Sequence, residues 1–272
     1  MGVVNVTPDS FSDGGLYLDP DAAIRHGREL AAAGAEILDV GGESTRPGAE
    51  VVAEEEELRR VVPVVEGLDG LDCRVSVDTS KSGVAAAALE AGAEIVNDVT
   101  ALRADPEMAA LCAERDATVV LMHMRGDPRT MQEDPRYDDV VAEVKSFLAE
   151  RLEAAIAAGI AEERVWLDPG IGFGKTAAHN LELLRRLGEL RDLGRPLVIG
   201  TSRKSFIGKV DGSSAGERLG GTIASSVLAA AEGAEVLRVH DVAEMRQAPN
   251  ASCSRPCLCR LCRPSCPSCR RS

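Results

Sequence analysis

Residues 33–40 read AGAEILDV; the phrase returns as AGAEIVNDV at 91–99 and, varied, as EGAEVLRVHDV at 232–242. Each copy is an Ala-rich helix end, a Gly at the expected C-terminal stop, and a short β-branched run finishing on polar residues. A recurring helix-end-to-strand unit points to a repeated βα architecture. Working outward, eight such runs appear: Val3 to Val6, Glu36 to Val40, Arg74 to Val77, Glu94 to Asn97, Thr118 to Met122, Val165 to Leu167, Pro196 to Ile199 and Glu235 to Val239. Between them lie segments of helical period near 21–33, 54–66, 83–91, 106–114, 137–158, 180–192 and 216–232. Eight strands alternating with helices in 272 residues predict an α/β chain folded as a (β/α)8 TIM barrel rather than an open doubly wound sheet.

Composition agrees. Apolar residues make up 44% of the chain but aromatics only 3%, so the core is to be built from Ala, Val, Leu and Ile, which suits buried parallel strands. No apolar run approaches the ~20 residues of a membrane helix and no signal-peptide layout opens the chain, so a cytoplasmic protein without membrane contact is expected. A formal charge of −13 opposes nucleic-acid binding by the main body. Charge and cysteine are unevenly placed: residues 249–272 hold five Arg, no Asp, Glu or Lys, and six of the eight Cys. Cys73 and Cys112 read as small buried hydrophobes.

Each strand ends on groups able to do chemistry: Asn5, Asp39, Asp78, Asn97 with Asp98, His123, Asp168, then Ser202, Arg203 and Lys204, and finally Arg238 and His240. In a barrel these converge at the C-terminal mouth. Asp39 and Asp98 also have an ordinary reading as caps of the following helices. Three loops are long for this architecture: 7–18 (TPDSFSDGGLYL), 41–51 (GGESTRPGAEV) and the glycine loop within 167–175 (LDPGIGFGK). The last is not a phosphate loop, because Pro169 stands where the first glycine of that motif belongs. Arg46, Arg203, Lys204, Arg238 and His240 form a cationic group suited to phosphate or pyrophosphate. Asp78, Asn97 and Asp168 can read the edge of a donor-rich heterocycle, with Ile95 and Met122 against its face.

Those motifs together resemble dihydropteroate synthase. MGVVNVTPDSFSDGG at 1–15, GGESTRPG at 41–48, VDT at 77–79, NDV at 97–99, DPGIGFGK at 168–175, SRKS at 202–205 and RVHDV at 238–242 stand in that family's order, over residues 1–247. The resemblance implies a transferase joining 6-hydroxymethyl-7,8-dihydropterin pyrophosphate to 4-aminobenzoate, a homodimer, and inhibition by sulfonamides. It implies Mg²⁺ as cofactor, with Asn5 as its ligand, and places Asp78, Asn97, Asp168, Met122 and Lys204 on the pterin with Arg238 stacked on the ring. It gives Arg46, Arg238 and His240 to pyrophosphate, and Thr45, Pro47, Phe173, Lys204 and Ser205 to aminobenzoate. A pterin-binding methyltransferase-like domain and an inactive pterin-binding barrel are the alternatives.

Residues 1–248 are expected to form the barrel and 249–272 a disordered Cys/Pro/Arg-rich tail. The eighth helix is expected to give way at Pro249, leaving the first and last strands partly uncovered. The tail's cysteine spacing lacks a paired module for zinc, and a frame change near residue 248 is the simpler account of its composition.

Overall fold

The computed structural model describes residues 1–7, 19–45, 49, 51–126 and 130–252, with side chains to 248. Eight parallel strands follow in chain order: β1 (Gly2–Asn5), β2 (Ile37–Gly41), β3 (Arg74–Asp78), β4 (Ile95–Asp98), β5 (Thr118–Met122), β6 (Val165–Asp168), β7 (Val198–Ile199) and β8 (Val236–Leu237). The first six form one sheet in sequential order and the last two another. Single parallel bridges join the sheets at both seams, Gly2 to Val239 and Leu167 to Leu197. The hydrogen-bonded ring of a TIM barrel is therefore carried round each seam by one residue pair rather than a full ladder.

Successive strand residues face opposite ways, and the chain uses both faces. One set, including Leu38, Val40, Val75, Val77, Val96, Val119, Leu121, Val165 and Leu167, is buried in the large core shared with the helices. The alternate set fills the barrel. Ile37, Ile95, Val120 and Val198 form a separate small cluster, with Met1, Trp166 and Val236 packed on it. One step further along β2, β3 and β4 that set is polar, with Asp39 and Ser76 fully buried and Asn97 nearly so. The barrel thus has an apolar floor and a polar upper storey.

Nine α-helices surround the strands among the described residues: α1 (Pro20–Ala32), α2 (Glu54–Leu68), α3 (Ser82–Glu90), α4 (Met108–Glu114), α5 (Val140–Ala157), α6 (Ala177–Arg185), α7 (Ser205–Asp211), α8 (Leu219–Ala231) and α9 (Val242–Ser252). Asp139 caps α5 by accepting from the Val141 and Ala142 amides at 2.9 and 3.1 Å. Four glutamates crowd the first turn of α2, where the helix dipole favours negative charge. After α1, α3, α5 and α8 the chain turns at Gly34, Gly92, Gly159 and Gly233, all with positive φ.

Three expectations change. The segment expected as one helix over 180–192 is α6 followed by a 3-10 stretch, Leu187–Leu193, because Gly188 interrupts the helical run. The first turn of α7 directly follows the SRK of the seventh strand end, where no separate helix is expected from the sequence. The eighth outer helix, α9, passes Pro249 and reaches Ser252, since a proline near a helix end forfeits a single backbone bond. Its Val242 and Met245 are 5% exposed. The first strand is covered where exposure was expected, while Val236 and Leu237 of β8 stay partly exposed, in line with that expectation. Residues 253–272, and with them the tail's expected disorder and metal spacing, lie outside the described residues.

Candidate active site

At the C-terminal mouth a cavity of 430 Å³ is walled by Asn5, Thr45, Asp78, Phe173, Lys204, Ser205, Arg238 and His240, together with Ser202 and Arg203. Eight of the thirteen expected site residues thus share one wall. A second cavity of 630 Å³ adjoins it, sharing Glu43, Ser44, Thr45 and Asp78. Arg46 and Pro47 lie outside the described residues, as does most of the loop at 7–18.

The centre of the site is an ion-pair fork. Arg238, just beyond β8, sends Nε to Asp39 Oδ2 at 2.6 Å and a terminal nitrogen to Asp78 Oδ2 at 2.7 Å. Asn97 donates Nδ2 to the same Asp39 oxygen at 3.1 Å. Asp39 is fully buried, so these bonds hold a carboxylate that could not otherwise remain in the barrel. Asp39 is therefore no helix cap. Nor is Asp98, which accepts from the Thr100 and Leu102 amides at 2.8 and 2.7 Å within a turn, ahead of α4, whose N-cap position is Glu107. Burial pushes the Asp78 carboxyl up to about 7, against the pull of Arg238. The same two carboxylates hold the Arg238 guanidinium firmly protonated.

The expected cationic group is thus partly neutralised within the protein. Arg203 has φ of +57° and directs Nε to Asp241 Oδ2 at 3.1 Å. His240 Nδ1 lies 2.8 Å from the Ser202 hydroxyl, which also accepts from the His240 amide at 3.2 Å. Burial draws Lys204 down to about 8, with Asp168 opposing. Lys204 Nζ donates to the Ile171 carbonyl and stands 4.5 Å from the centre of the Phe173 ring.

The glycine loop after β6 supplies the facing wall. Asp168 accepts from the Gly170 amide at 2.6 Å, and burial raises its pKa. Gly170, Gly172 and Gly174 have φ of +66°, +85° and +60°. A side chain at 170 would meet the His123 carbonyl at 1.9 Å, so close approach as well as φ demands glycine there. Five consecutive loop carbonyls have side-chain donors. Gly170 and Phe173 receive Lys175, Ile171 receives Lys204, Gly172 receives Gln132 and Gly174 receives Tyr137. Phe173 rests on a cluster of Val99, Met122, Met124 and Met131. Met122, 3% exposed, backs that wall instead of facing the 430 Å³ cavity.

The pterin binding enzyme family profile matches residues 1–240. The dihydropteroate synthase of Escherichia coli (strain K12) is 49% identical over 249 residues, covering 91% of this chain and 88% of that one. The chain belongs to the dihydropteroate synthase family. Among solved members of that family, the Yersinia pestis dihydropteroate synthase, in a sulfonamide drug complex, superposes with a TM-score of 0.90 at 46% identity, covering 92% of this chain and 91% of its own. The Xanthomonas albilineans dihydropteroate synthase in complex with 7,8-dihydropteroate gives 0.83 at 48% identity, covering 93% and 91%.

Two residues that organise this mouth, Lys175 and Lys81, carry no expected role, and a third, Asp39, was expected there with a helix cap as its ordinary alternative. Asp39 shares the inward face of β2 with Ile37, a signal present in its two-residue spacing. Lys175, 2% exposed, ends the DPGIGFGK motif. Lys81 reaches Glu43, in the loop after β2, and the buried Glu57 of α2. Neither lysine is signalled by a burial pattern. His179 lies in the first turn of α6 and closes a capping box with Thr176. Cys112 is buried as expected and Cys73 only partly so.

Proposed function

We propose that this chain condenses 6-hydroxymethyl-7,8-dihydropterin pyrophosphate with 4-aminobenzoate, giving 7,8-dihydropteroate and pyrophosphate. The observation that carries the reading is that one cavity wall brings together Asp78, Arg238, Lys204 and Phe173. These supply a carboxylate for a pterin edge, two cations, and an aromatic surface for an arylamine. The ligand in the Xanthomonas complex is the product of this reaction.

The bond that breaks joins the pterin's methylene carbon to a pyrophosphate oxygen, whose electron pair leaves with the pyrophosphate. Electron release from the ring stabilises the carbon, and Asp78, Asn97 and Asp168 hold the ring by its donor edge. Lys204, Arg46 and His240 take up charge developing on the leaving group. The nitrogen of 4-aminobenzoate, neutral at pH 7, then forms the C–N bond and releases a proton to solvent, so no strong base is required. Phe173, Thr45, Pro47 and Ser205 frame the arylamine, and Met122 backs the pocket. The fork leaves Arg238 committed to Asp39 and Asp78, so we assign it to orienting those carboxylates as well as to the ring.

Mg²⁺ fits this site in one way. The Asn5 carboxamide lines the cavity without a hydrogen-bond partner among the described residues, and these contain no cluster of three His, Cys, Asp or Glu able to hold a metal. A single amide oxygen suits an ion that takes its other ligands from substrate phosphates and water. When bound, it supplies charge neutralisation to the pyrophosphate.

No described helix is long and apolar enough to cross a membrane. A homodimer, a cytoplasmic location and a barrel ending near residue 248 complete the proposal, supported by family likeness and composition. The test is pyrophosphate release from the pterin pyrophosphate with Mg²⁺, with and without 4-aminobenzoate. Release that depends on 4-aminobenzoate is expected; a folded sample showing none overturns the assignment.

A further inference from the structure

Lys175 is one of the most deeply buried large side chains of the protein, at 2% exposure, and the chemistry proposed above makes no use of it. Its Nζ lies 2.9 Å from the Gly170 carbonyl, 3.0 Å from the Phe173 carbonyl and 2.9 Å from His123 Nδ1. Two of its N–H groups therefore serve the loop backbone, whichever partner carries the proton shared with His123. The His123 ring is itself fixed, edge-on to Phe147 of α5 at 4.9 Å between centroids. Lys175 thus ties the loop that begins and ends at Gly170 and Phe173 to the end of β5.

The two carbonyls it holds bracket the part of the loop that faces the cavity. Between them lie Ile171, whose carbonyl receives Lys204, and Gly172, where a side chain would meet Lys204 Cδ at 3.0 Å. Phe173 follows directly, with Lys204 over its ring. Asp78, Asn97 and Arg238 are fixed by strand ends and by one another, with no bond to this loop.

We propose that Lys175 is a positioning residue for the aminobenzoate half of the reaction, acting through the loop backbone that sets the Phe173 ring. The proposal rests on the reaction assigned above. In Lys175→Met, which keeps the length and loses the donors, the KM for 4-aminobenzoate is expected to rise about tenfold, the scale of a lost hydrogen bond. The KM for the pterin pyrophosphate should rise clearly less, by no more than about threefold, since Asp78 and Asn97 have no bond to the loop and only Asp168, through the Gly170 amide, and Lys204, through the Ile171 carbonyl, touch it. Equal rises in both, or no change in either, overturn the proposal. Lys175→Gln, which keeps two N–H donors in a shorter side chain, serves if the methionine variant does not fold, and should show the same split at smaller amplitude. A second readout needs no turnover. 4-Fluorophenylalanine at position 173 should give a shifted or broadened ¹⁹F line in either variant, and an unchanged line overturns the proposal. Wild-type protein without aminobenzoate-dependent release would defeat the assigned reaction instead, leaving the fluorine result to decide on Lys175.

Discussion

At the residue scale the site is governed by two groups moved toward neutrality by burial. Asp78 rises to about 7 and Lys204 falls to about 8. Asp78 accepts from a pterin edge only when ionised, so kcat/KM for the pterin pyrophosphate should climb as pH passes through about 7. Lys204 supports pyrophosphate departure only when protonated, so the same parameter should decline above about 8. A narrow bell is the expected profile. Asp78→Asn should remove the acid limb from pterin binding measured by calorimetry while weakening binding about tenfold. Persistence of that limb would give it to another group.

This scale also shows how far the site could be read from residues alone. Asn5, Asp78, Asn97 and Asp168 were legible because two-residue alternation fixes which strand-end side chains face inward. Lys204 was legible as one of the strand-end cations, and Phe173 only through the motif resemblance. The Arg238 fork could not be read, because its partners are 160 and 199 residues away in sequence. Lys175 carries a charge that argues for solvent, and only the ring of loop carbonyls explains its burial.

At the element scale the glycine loop is the most exacting piece of the chain. Gly170→Ala must relieve both a positive φ and a contact with the His123 carbonyl, so a loss of roughly 2–4 kcal/mol in unfolding free energy is expected, with activity falling more than about tenfold. Gly212, at the end of α7, has φ of +80° and nothing within 4 Å of an added Cβ. Gly212→Ala should cost only about 1 kcal/mol, a melting shift of roughly 2–4 °C, with activity kept. Comparable losses in the two variants would show that backbone conformation, not loop crowding, is decisive. Helix positions were legible from apolar periodicity and glycine stops. Boundaries were less so: Gly188 splits a run whose apolar pattern continues into the 3-10 stretch.

At the scale of the whole molecule, the composition break at residue 249 and the burial of Val242 and Met245 belong to one question. The apolar anchors of α9 precede the break. Removing residues 253–272 should therefore leave the melting temperature within about 2 °C, on the scale of surface changes, and leave pyrophosphate release unchanged. A larger drop would mean that the segment contributes to the fold. Alternation of eight strands with helices made the barrel legible as a class. The short β7 and β8, and the single bridges at the seams, were not, since a strand's length depends on how its neighbours twist around the ring.

The fork of Arg238 with Asp39 and Asp78 spans one of those seams, joining the two-stranded sheet to the six-stranded one. The atoms proposed to meet the substrate are thus also a rivet of the architecture. Sequence drift cannot retune them for another ligand without also loosening the ring. The fork is accordingly expected to persist as long as the barrel does.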